Sequence, residues 1–99
     1  MDEVATHLDQ VKELCKSHHV ERLYLFGSAL RPDYSDTSDL DFLVKFKPID
    51  LSLYFDNYMG FKNRLKKLLK RDIDLLEEQA LKNPILIKSI NNSKELIYG

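Results

Sequence analysis

The fold is decided between Phe26 and Val44, which read Phe-Gly-Ser-Ala-Leu-Arg-Pro-Asp-Tyr-Ser-Asp-Thr-Ser-Asp-Leu-Asp-Phe-Leu-Val. Two apolar runs, residues 23–26 and residues 42–44, bracket a polar segment that is rich in turn-forming residues. Short apolar runs bounded by Gly, Pro, Ser and Asp are typical of buried strands. The stretch therefore predicts two buried strands joined by a structured loop.

Two acidic residues stand near the start of the second predicted strand, residues 39–46. Side chains alternate along a strand, so Asp39 and Asp41 leave one face of the sheet, opposite to the apolar Leu40. Two neighbouring carboxylates repel each other, and a divalent cation shared between them removes that repulsion. Hard cations such as Mg²⁺ prefer oxygen ligands. Asp39 and Asp41 are therefore candidate metal ligands.

The loop between these strands opens with residues suited to binding phosphate. Gly27 permits a tight turn, and its missing side chain allows a phosphate to approach the backbone. Ser28 adds a hydroxyl donor at the start of a short predicted helix, residues 28–30, where backbone N–H groups favour anions. Arg31 follows closely, and the sequence leaves open whether it contacts phosphate or is a solvated loop residue.

Length and composition bound the class of protein and its partners. The 99 residues suffice for one domain, residues 1–99, and 43% hydrophobic with 31% charged residues is typical of a globular protein. The 15 Lys and Arg against 16 Asp and Glu give a formal charge of -1, which disfavours extended nucleic-acid binding. One cysteine cannot form an internal disulfide, and the sequence contains no signal-peptide or membrane-length apolar run. We expect a cytoplasmic protein without membrane contacts.

The rest of the chain alternates between helical and strand patterns. The unbroken apolar run in the strand from Glu21 to Phe26 indicates an interior strand with both faces covered. A long helix between the second and third predicted strands is consistent with a crossover that returns to the same sheet. The predicted elements are helix 2–18, strand 21–26, strand 39–46, helix 51–70, strand 71–76, a helix starting at Asn83-Pro84, a turn at 91–93 and an edge strand at 94–98.

The loop and the acidic strand together resemble a known signature. Gly27-Ser28, then ten residues, then Asp39-x-Asp41 is similar to the pattern of the polymerase-beta-like nucleotidyltransferases. The whole chain looks like the minimal nucleotidyltransferases, which are antitoxin partners of small helical toxins of the HEPN class. The resemblance implies an α+β, two-layer nucleotidyltransferase fold with a mixed sheet of about four strands flanked by helices.

The resemblance also points to a third acidic residue. The third carboxylate of this family sits in a Val/Ile-Asp-Leu-Val/Leu context, which residues 73–76 fit as Ile-Asp-Leu-Leu. Asp72 is the alternative, but it lies at the start of the predicted strand beside Lys70 and Arg71, where a surface ion pair accounts for it. Asp74 is therefore the predicted third ligand, and an exchange with Asp72 stays open.

By resemblance the chain is a Mg²⁺-dependent nucleotidyltransferase. Asp39, Asp41 and Asp74 are the implied ligands of two Mg²⁺ ions, and the three phosphate-binding candidates of the loop would hold ATP. The implied reaction transfers AMP from ATP to a tyrosine hydroxyl of a cognate HEPN-type RNase toxin, which makes the chain the antitoxin of a type VII pair. Two alternatives stay open: an antitoxin that neutralises by binding alone, and an enzyme that nucleotidylates a small molecule after dimerising to build a cleft.

The predicted helix 51–70 carries a core-facing stripe and a basic end. Aromatic and apolar residues at helical spacing form the stripe, namely Tyr54, Tyr58, Phe61, Leu65 and Leu68. Basic residues crowd the last turns, namely Lys62, Arg64, Lys66, Lys67, Lys70 and Arg71. A solvated face that complements the helix dipole accounts for them. A basic wall near the triphosphate or the partner is the alternative.

Overall fold

The computed structural model describes residues 2–27 and 39–99 of the chain. These residues form helices α1 (Asp2–Thr6), α2 (Leu8–Ser17), α3 (Leu51–Leu69) and α4 (Pro84–Ser93). The strands are β1 (Val20–Phe26), β2 (Leu40–Phe46), β3 (Ile73–Glu77) and β4 (Glu95–Tyr98), and a 3₁₀ turn spans Glu78–Ala80. Within the described ranges, none of the helices combines the length and the apolar character needed to cross a membrane.

The described strands form one mixed sheet in the order β3-β2-β1-β4. β2 and β3 are parallel, whereas the other two pairings are antiparallel. Parallel neighbours need a crossover connection, which α3 provides between β2 and β3. The predicted α+β fold with a mixed sheet flanked by helices is confirmed. The interior position of β1 and the edge position of β4 are confirmed as well.

The main core lies between one face of the sheet and helices α2 and α3. Alternate residues of β2 point into it, so this strand buries Leu40, Phe42 and Val44 on the helical side. Burying one such apolar side chain stabilises the fold by about 1.5–3 kcal/mol. The buried cluster comprises Val4, Val11, Cys15, Val20, Leu23, Leu25, Leu40, Phe42, Val44, Phe46, Phe61, Leu65, Leu69, Ile73 and Leu75.

A smaller apolar cluster covers part of the opposite face of the sheet. Ile90 of α4 packs there with Phe26 of β1 and Leu43 of β2. Leu43 alternates with the core residues of β2, so it marks the face that points away from α2 and α3. Asp41 lies on this second face as well, because it stands two positions before Leu43 on the same strand.

The prediction of one continuous helix over residues 2–18 is wrong, because the structure has two helices, α1 and α2, in this range. His7 stands between α1 and α2 with φ -109° and ψ 23°, outside helical geometry. Val4 and Val11, on either side of the break, are both buried in the main core. Residues seven apart lie on one face of a helix, so the apolar spacing predicts the same buried face with or without the break.

Helix α4 begins where the sequence predicts and ends later. The Asn83 side chain accepts hydrogen bonds from the N–H groups two and three residues further on, at 3.0 and 3.3 Å, and Pro84 occupies the first turn. The predicted turn at 91–93 is wrong, since these residues are the last turn of the helix. Burial of Ile90 and the bond from Lys94 N–H to Ile90 O, 2.8 Å long, outweigh the turn preference of the sequence there.

Replacing Asn83 with alanine removes the side-chain acceptor at the start of α4. We expect Asn83→Ala to lower the free energy of unfolding by about 1 kcal/mol, the usual cost of losing an N-cap. Urea unfolding measures the change. Asn92→Ala is the control, because Asn92 is exposed in the last turn of α4 and should shift stability by less than about 0.5 kcal/mol. Equal stabilities of the two variants would contradict the capping role.

Candidate active site

Asp41 and Asp74 are directly opposite each other in the sheet. β2 and β3 run parallel, with Asp41 in register with Asp74. The residues before and after each of them are buried against the helices, so both carboxylates leave the other face. Neighbouring strands lie about 4.8 Å apart, which places the two carboxylates side by side. Asp41 is half-buried and Asp74 is exposed.

Gly27 lies next to this pair, just after the end of β1. Phe26 pairs with Asp41 across the antiparallel ladder, so the chain reaches Gly27 beside the Asp41 carboxylate. Gly27 has φ +79°, and a Cβ built on it would overlap that carboxylate and lie 3.1 Å from Asp41 Cγ. Backbone conformation and space therefore both exclude a side chain here. Ser28 and Arg31, the other predicted phosphate-binding residues, lie outside the described residues.

Asp39 is placed one residue before β2, at one end of the sheet. It is exposed, and the next residue, Leu40, donates its N–H to Asp72 O at 3.0 Å, which holds the start of β2 against β3. Within the described part of the chain, no three His, Cys, Asp or Glu side chains form a group that could hold a metal ion. The structure thus brings Asp41 and Asp74 together and leaves Asp39 at the strand end.

Asp72, the alternative third acid, is turned toward helix α3. Its carboxylate forms an ion pair with Lys66 Nζ at 3.3 Å, and its side chain is 72% exposed. Such an exposed pair contributes little to stability, about 0–1 kcal/mol. The sequence predicts a surface ion pair here, and the structure has one with Lys66. Of the two acids, Asp74 is the one in register with Asp41.

Tyr58 fixes the strand that carries Asp74. Its hydroxyl donates to the backbone carbonyl of Leu75, the residue after Asp74. Carbonyls alternate in direction along a strand, and the Asp72 carbonyl points to β2, so that of Leu75 points to the open edge of the sheet. Burial, followed by the nearby carboxylates of Asp74 and Glu77, raises the pKa of Tyr58. The hydroxyl is therefore a protonated donor at neutral pH.

The sequence assigns Tyr58 to the apolar stripe of the long helix. The structure places it in an aromatic cluster, stacked on Tyr54 with ring centroids 6.4 Å apart and edge-on to Phe46. A buried tyrosine hydroxyl usually finds a hydrogen-bond partner. A tyrosine rather than a phenylalanine at this core-facing position therefore indicates a hydrogen bond from its hydroxyl. The sequence does not indicate which group accepts that bond.

Comparison with known proteins identifies the family of this chain. Residues 9–99 match the family described as polymerase beta, nucleotidyltransferase. The chain belongs to the polymerase-beta nucleotidyltransferase family. Two proteins of Methanocaldococcus jannaschii, both provisionally named protein adenylyltransferases, are 34% and 32% identical to it. The first match covers 88% of this chain and 84% of the relative, and the second covers 92% and 96%.

Solved structures agree with the family assignment. A structure provisionally described as a minimal nucleotidyltransferase matches with a TM-score of 0.77 and 28% identity, over 95% of this chain and 92% of that chain. A chain from the complex of a tri-AMPylated Shewanella oneidensis HEPN toxin with an MNT antitoxin matches with a TM-score of 0.65 and 17% identity, over 96% and 71%. The second likeness shows the fold alone. The predicted nucleotidyltransferase fold is confirmed.

A methyl group added at Gly27 tests how closely the backbone of this nucleotidyltransferase approaches Asp41. We expect Gly27→Ala to lower the free energy of unfolding by about 1–2 kcal/mol, because a side chain is strained at positive φ and would overlap the carboxylate. Urea unfolding at neutral pH measures the change.

The control is the same substitution at Gly60, inside α3. A Cβ there would come 3.0 Å from Nη1 of Arg64, the mobile end of a long side chain. Alanine is favoured over glycine in a helix by up to about 1 kcal/mol. We therefore expect Gly60→Ala to be at least as stable as the wild type. A Gly27→Ala variant with the same free energy of unfolding as Gly60→Ala would contradict the close approach of Gly27 to Asp41.

Replacing Tyr58 with phenylalanine removes one hydrogen bond and keeps the ring. We expect Tyr58→Phe to lower the free energy of unfolding by about 1 kcal/mol, since the Leu75 carbonyl loses its partner. The folded-state pKa of Tyr58 is raised, so ionisation costs the wild type stability as pH rises through that pKa, and the difference between the two proteins should shrink above about pH 10. Tyr54→Phe is the control, and an equal loss there would argue against the bond to Leu75.

Proposed function

We propose that this protein is a Mg²⁺-dependent protein adenylyltransferase. It transfers AMP from ATP to a tyrosine hydroxyl of a HEPN-type toxin in the cytoplasm, and so acts as the antitoxin of a type VII pair. The observation that carries the proposal is the register of Asp41 with Asp74 next to the Gly27 backbone. Two adjacent carboxylates on one face of the sheet repel each other. A divalent cation bound between them would remove this repulsion.

The donor set fits a hard divalent cation. Asp41 and Asp74 offer carboxylate oxygens from neighbouring strands, and Gly27, without a side chain, lies against the Asp41 carboxylate. Asp39, two residues before Asp41, is proposed to complete the ligand set from the start of β2. When bound, two Mg²⁺ ions would supply the positive charge that offsets the negative charge of the reacting phosphates.

The residues of the chain position the reactants and accept one proton. The acceptor hydroxyl oxygen bonds to the α-phosphorus of ATP, and the bond from that phosphorus to the bridging β-phosphate oxygen breaks, so pyrophosphate leaves. Asp74, the exposed member of the pair, is the proposed acceptor of the hydroxyl proton. Gly27, Ser28 and Arg31 are proposed to bind the β- and γ-phosphates, which keeps the leaving oxygen in line with the attack.

Similar proteins support a protein acceptor. The two Methanocaldococcus jannaschii relatives are provisionally named protein adenylyltransferases. The Shewanella oneidensis complex contains a tri-AMPylated HEPN toxin together with an MNT antitoxin. A modified toxin bound to its antitoxin is the arrangement that we propose for the present chain.

The proposal is tested with labelled ATP, Mg²⁺ and the product of the neighbouring gene. We expect the wild-type protein to label that product. Asp41→Asn and Asp74→Asn should each slow transfer by about a hundredfold or more, because the substitution keeps the side-chain volume and removes the ligand charge. Asp56→Asn is the control, since Asp56 is exposed on α3, and it should transfer at the wild-type rate.

Different results would overturn different parts of the proposal. Full transfer by a verified Asp41→Asn protein would overturn the metal assignment, and full transfer by Asp74→Asn would move the third ligand to Asp72. Neutralisation of the toxin by a variant with all three acids replaced would show an antitoxin that acts by binding alone. Label on a small molecule, without any protein acceptor, would show a different substrate class.

A further inference from the structure

A basic groove runs along the end of α3 and the start of β3. Its volume is about 570 Å³. The lining residues are Asn63, Lys66, Lys67, Lys70, Arg71 and Asp72. The first four of them are spaced by one, three or four residues, which places them on one side of the helix. Lysine and arginine side chains thus converge on one concave surface that also contains a carboxylate.

Compensation of the helix dipole explains only part of this charge. Lys66 and Lys67 lie in the last turn of α3, where cations interact favourably with the helix end. Lys70 and Arg71 follow that turn, and Lys66 already pairs with Asp72. Lys67 and Lys70 make no ion pair within residues 2–27 and 39–99. The groove therefore carries positive charge beyond what the end of α3 requires.

The groove ends at the strand positions that lead to the acid pair. Asp72 lines the groove, and its backbone carbonyl accepts the Leu40 N–H at 3.0 Å. Asp41 is the residue after Leu40, and Asp74 stands two residues after Asp72. Two residues of extended chain span about 7 Å. The end of the groove at Asp72 therefore lies about 7 Å along the chain from Asp74.

An acidic protein segment suits this groove better than RNA or a phosphate chain does. Asp72 pairs with Lys66 within the lining, which lowers the positive charge left for a phosphate chain with its closely spaced charges. The lysine stems offer methylene surface as well as charge, which suits a peptide that carries both carboxylates and apolar groups. The net charge of -1 disfavours binding to extended RNA.

We propose that the groove binds an acidic segment of the protein acceptor and so brings the acceptor hydroxyl to the Asp41–Asp74 pair. This inference rests on the proposed function, because it assigns the surface that recognises the protein receiving AMP. The proposed arrangement places the acceptor protein and the nucleotide at different surfaces. Groove residues hold the acceptor, whereas Gly27 and the acid pair face the nucleotide.

The experiment reverses the charge of two groove lysines and measures AMP transfer to the purified toxin at steady state. The double variant Lys67→Glu, Lys70→Glu leaves the ion pair between Lys66 and Asp72 in place. We expect its KM for the toxin to rise about tenfold or more, because attraction becomes repulsion at both positions. Its KM for ATP and its kcat at saturating toxin should stay within about twofold of the wild type.

The matched control is the double variant Lys12→Glu, Lys16→Glu. Both lysines are exposed on α2, so their reversal makes the same change in net charge away from the groove. We expect its KM for the toxin to stay within about twofold of the wild type. A third variant, Lys67→Gln with Lys70→Gln, should give an intermediate KM and avoids introducing new negative charge. An unchanged KM for ATP shows in each case that the variant is folded.

Three outcomes would overturn the inference. A rise in the KM for ATP, in place of the KM for the toxin, would assign the groove to nucleotide phosphates. An equal rise in the KM for the toxin in the groove variant and the control would reduce the effect to net charge. Loss of RNA binding in a gel shift, with an unchanged KM for the toxin, would assign the groove to RNA.

The same assay separates this inference from the proposed function. If the wild type labels the toxin and the groove variant does so with an unchanged KM, the groove assignment alone fails. If the wild type labels no protein, the proposed function fails and the groove assignment fails with it.

Discussion

The parallel pairing of β2 with β3 is the constraint on which the rest of the structure depends. Parallel strands cannot be joined by a hairpin, so the chain must cross over, and α3 is that crossover. The helix has to bury its apolar stripe against the sheet, and it covers one face of β2 and β3. The register then sends Asp41 and Asp74 to the opposite face as direct neighbours. One pairing thus sets the position of the helix, the core and the acid pair.

Two local features of this site lower the stability of the fold, and contacts elsewhere offset their cost. Two like charges occupy adjacent positions, and Gly27 takes a backbone conformation that side chains disfavour. Proteins tolerate such conflicts mainly at functional sites, where the cost is offset elsewhere. Tyr58 provides one such offset, because it ties the outer edge of β3 to α3 at the residue after Asp74. The strand with one of the two acids is therefore held on both of its sides, by β2 and by a helix.

The sequence predicted this fold well wherever one local pattern determines the outcome. Alternation of polar and apolar residues places Asp41 on the face opposite Leu40, as in the structure. The choice of Asp74 over Asp72 came from the family context and stays a prediction. Asn83 and Pro84 mark the start of α4 because capping chemistry is local. The family and the order of the elements follow from the same short patterns.

Features that depend on tertiary contacts were out of reach. The break at His7 leaves the apolar spacing unchanged, and the last turn of α4 is held by the burial of Ile90 against residues distant in sequence. The bond from Tyr58 to Leu75 joins two elements, so neither element predicts it alone. The groove is similar: the sequence shows a basic helix end, whereas only the fold shows that its lysines converge beside the start of β3.

The distribution of charge explains how so small a site could select an acceptor. The acid pair lies on one face of the sheet, and the basic groove lies at the end of the helical layer, close to the start of β3. The net charge of -1 does not reveal this separation, because it sums the acidic and the basic regions. An acidic protein is repelled by the carboxylates and attracted by the lysines. Under the proposed function, the favourable orientation would put an acidic segment of the acceptor in the groove and its uncharged tyrosine hydroxyl at Asp41 and Asp74. Complementarity of this kind fixes orientation and rejects wrong partners more than it adds affinity. Selectivity would then reside in residues that take no part in the chemistry, and it could change between relatives while the acid pair stayed the same.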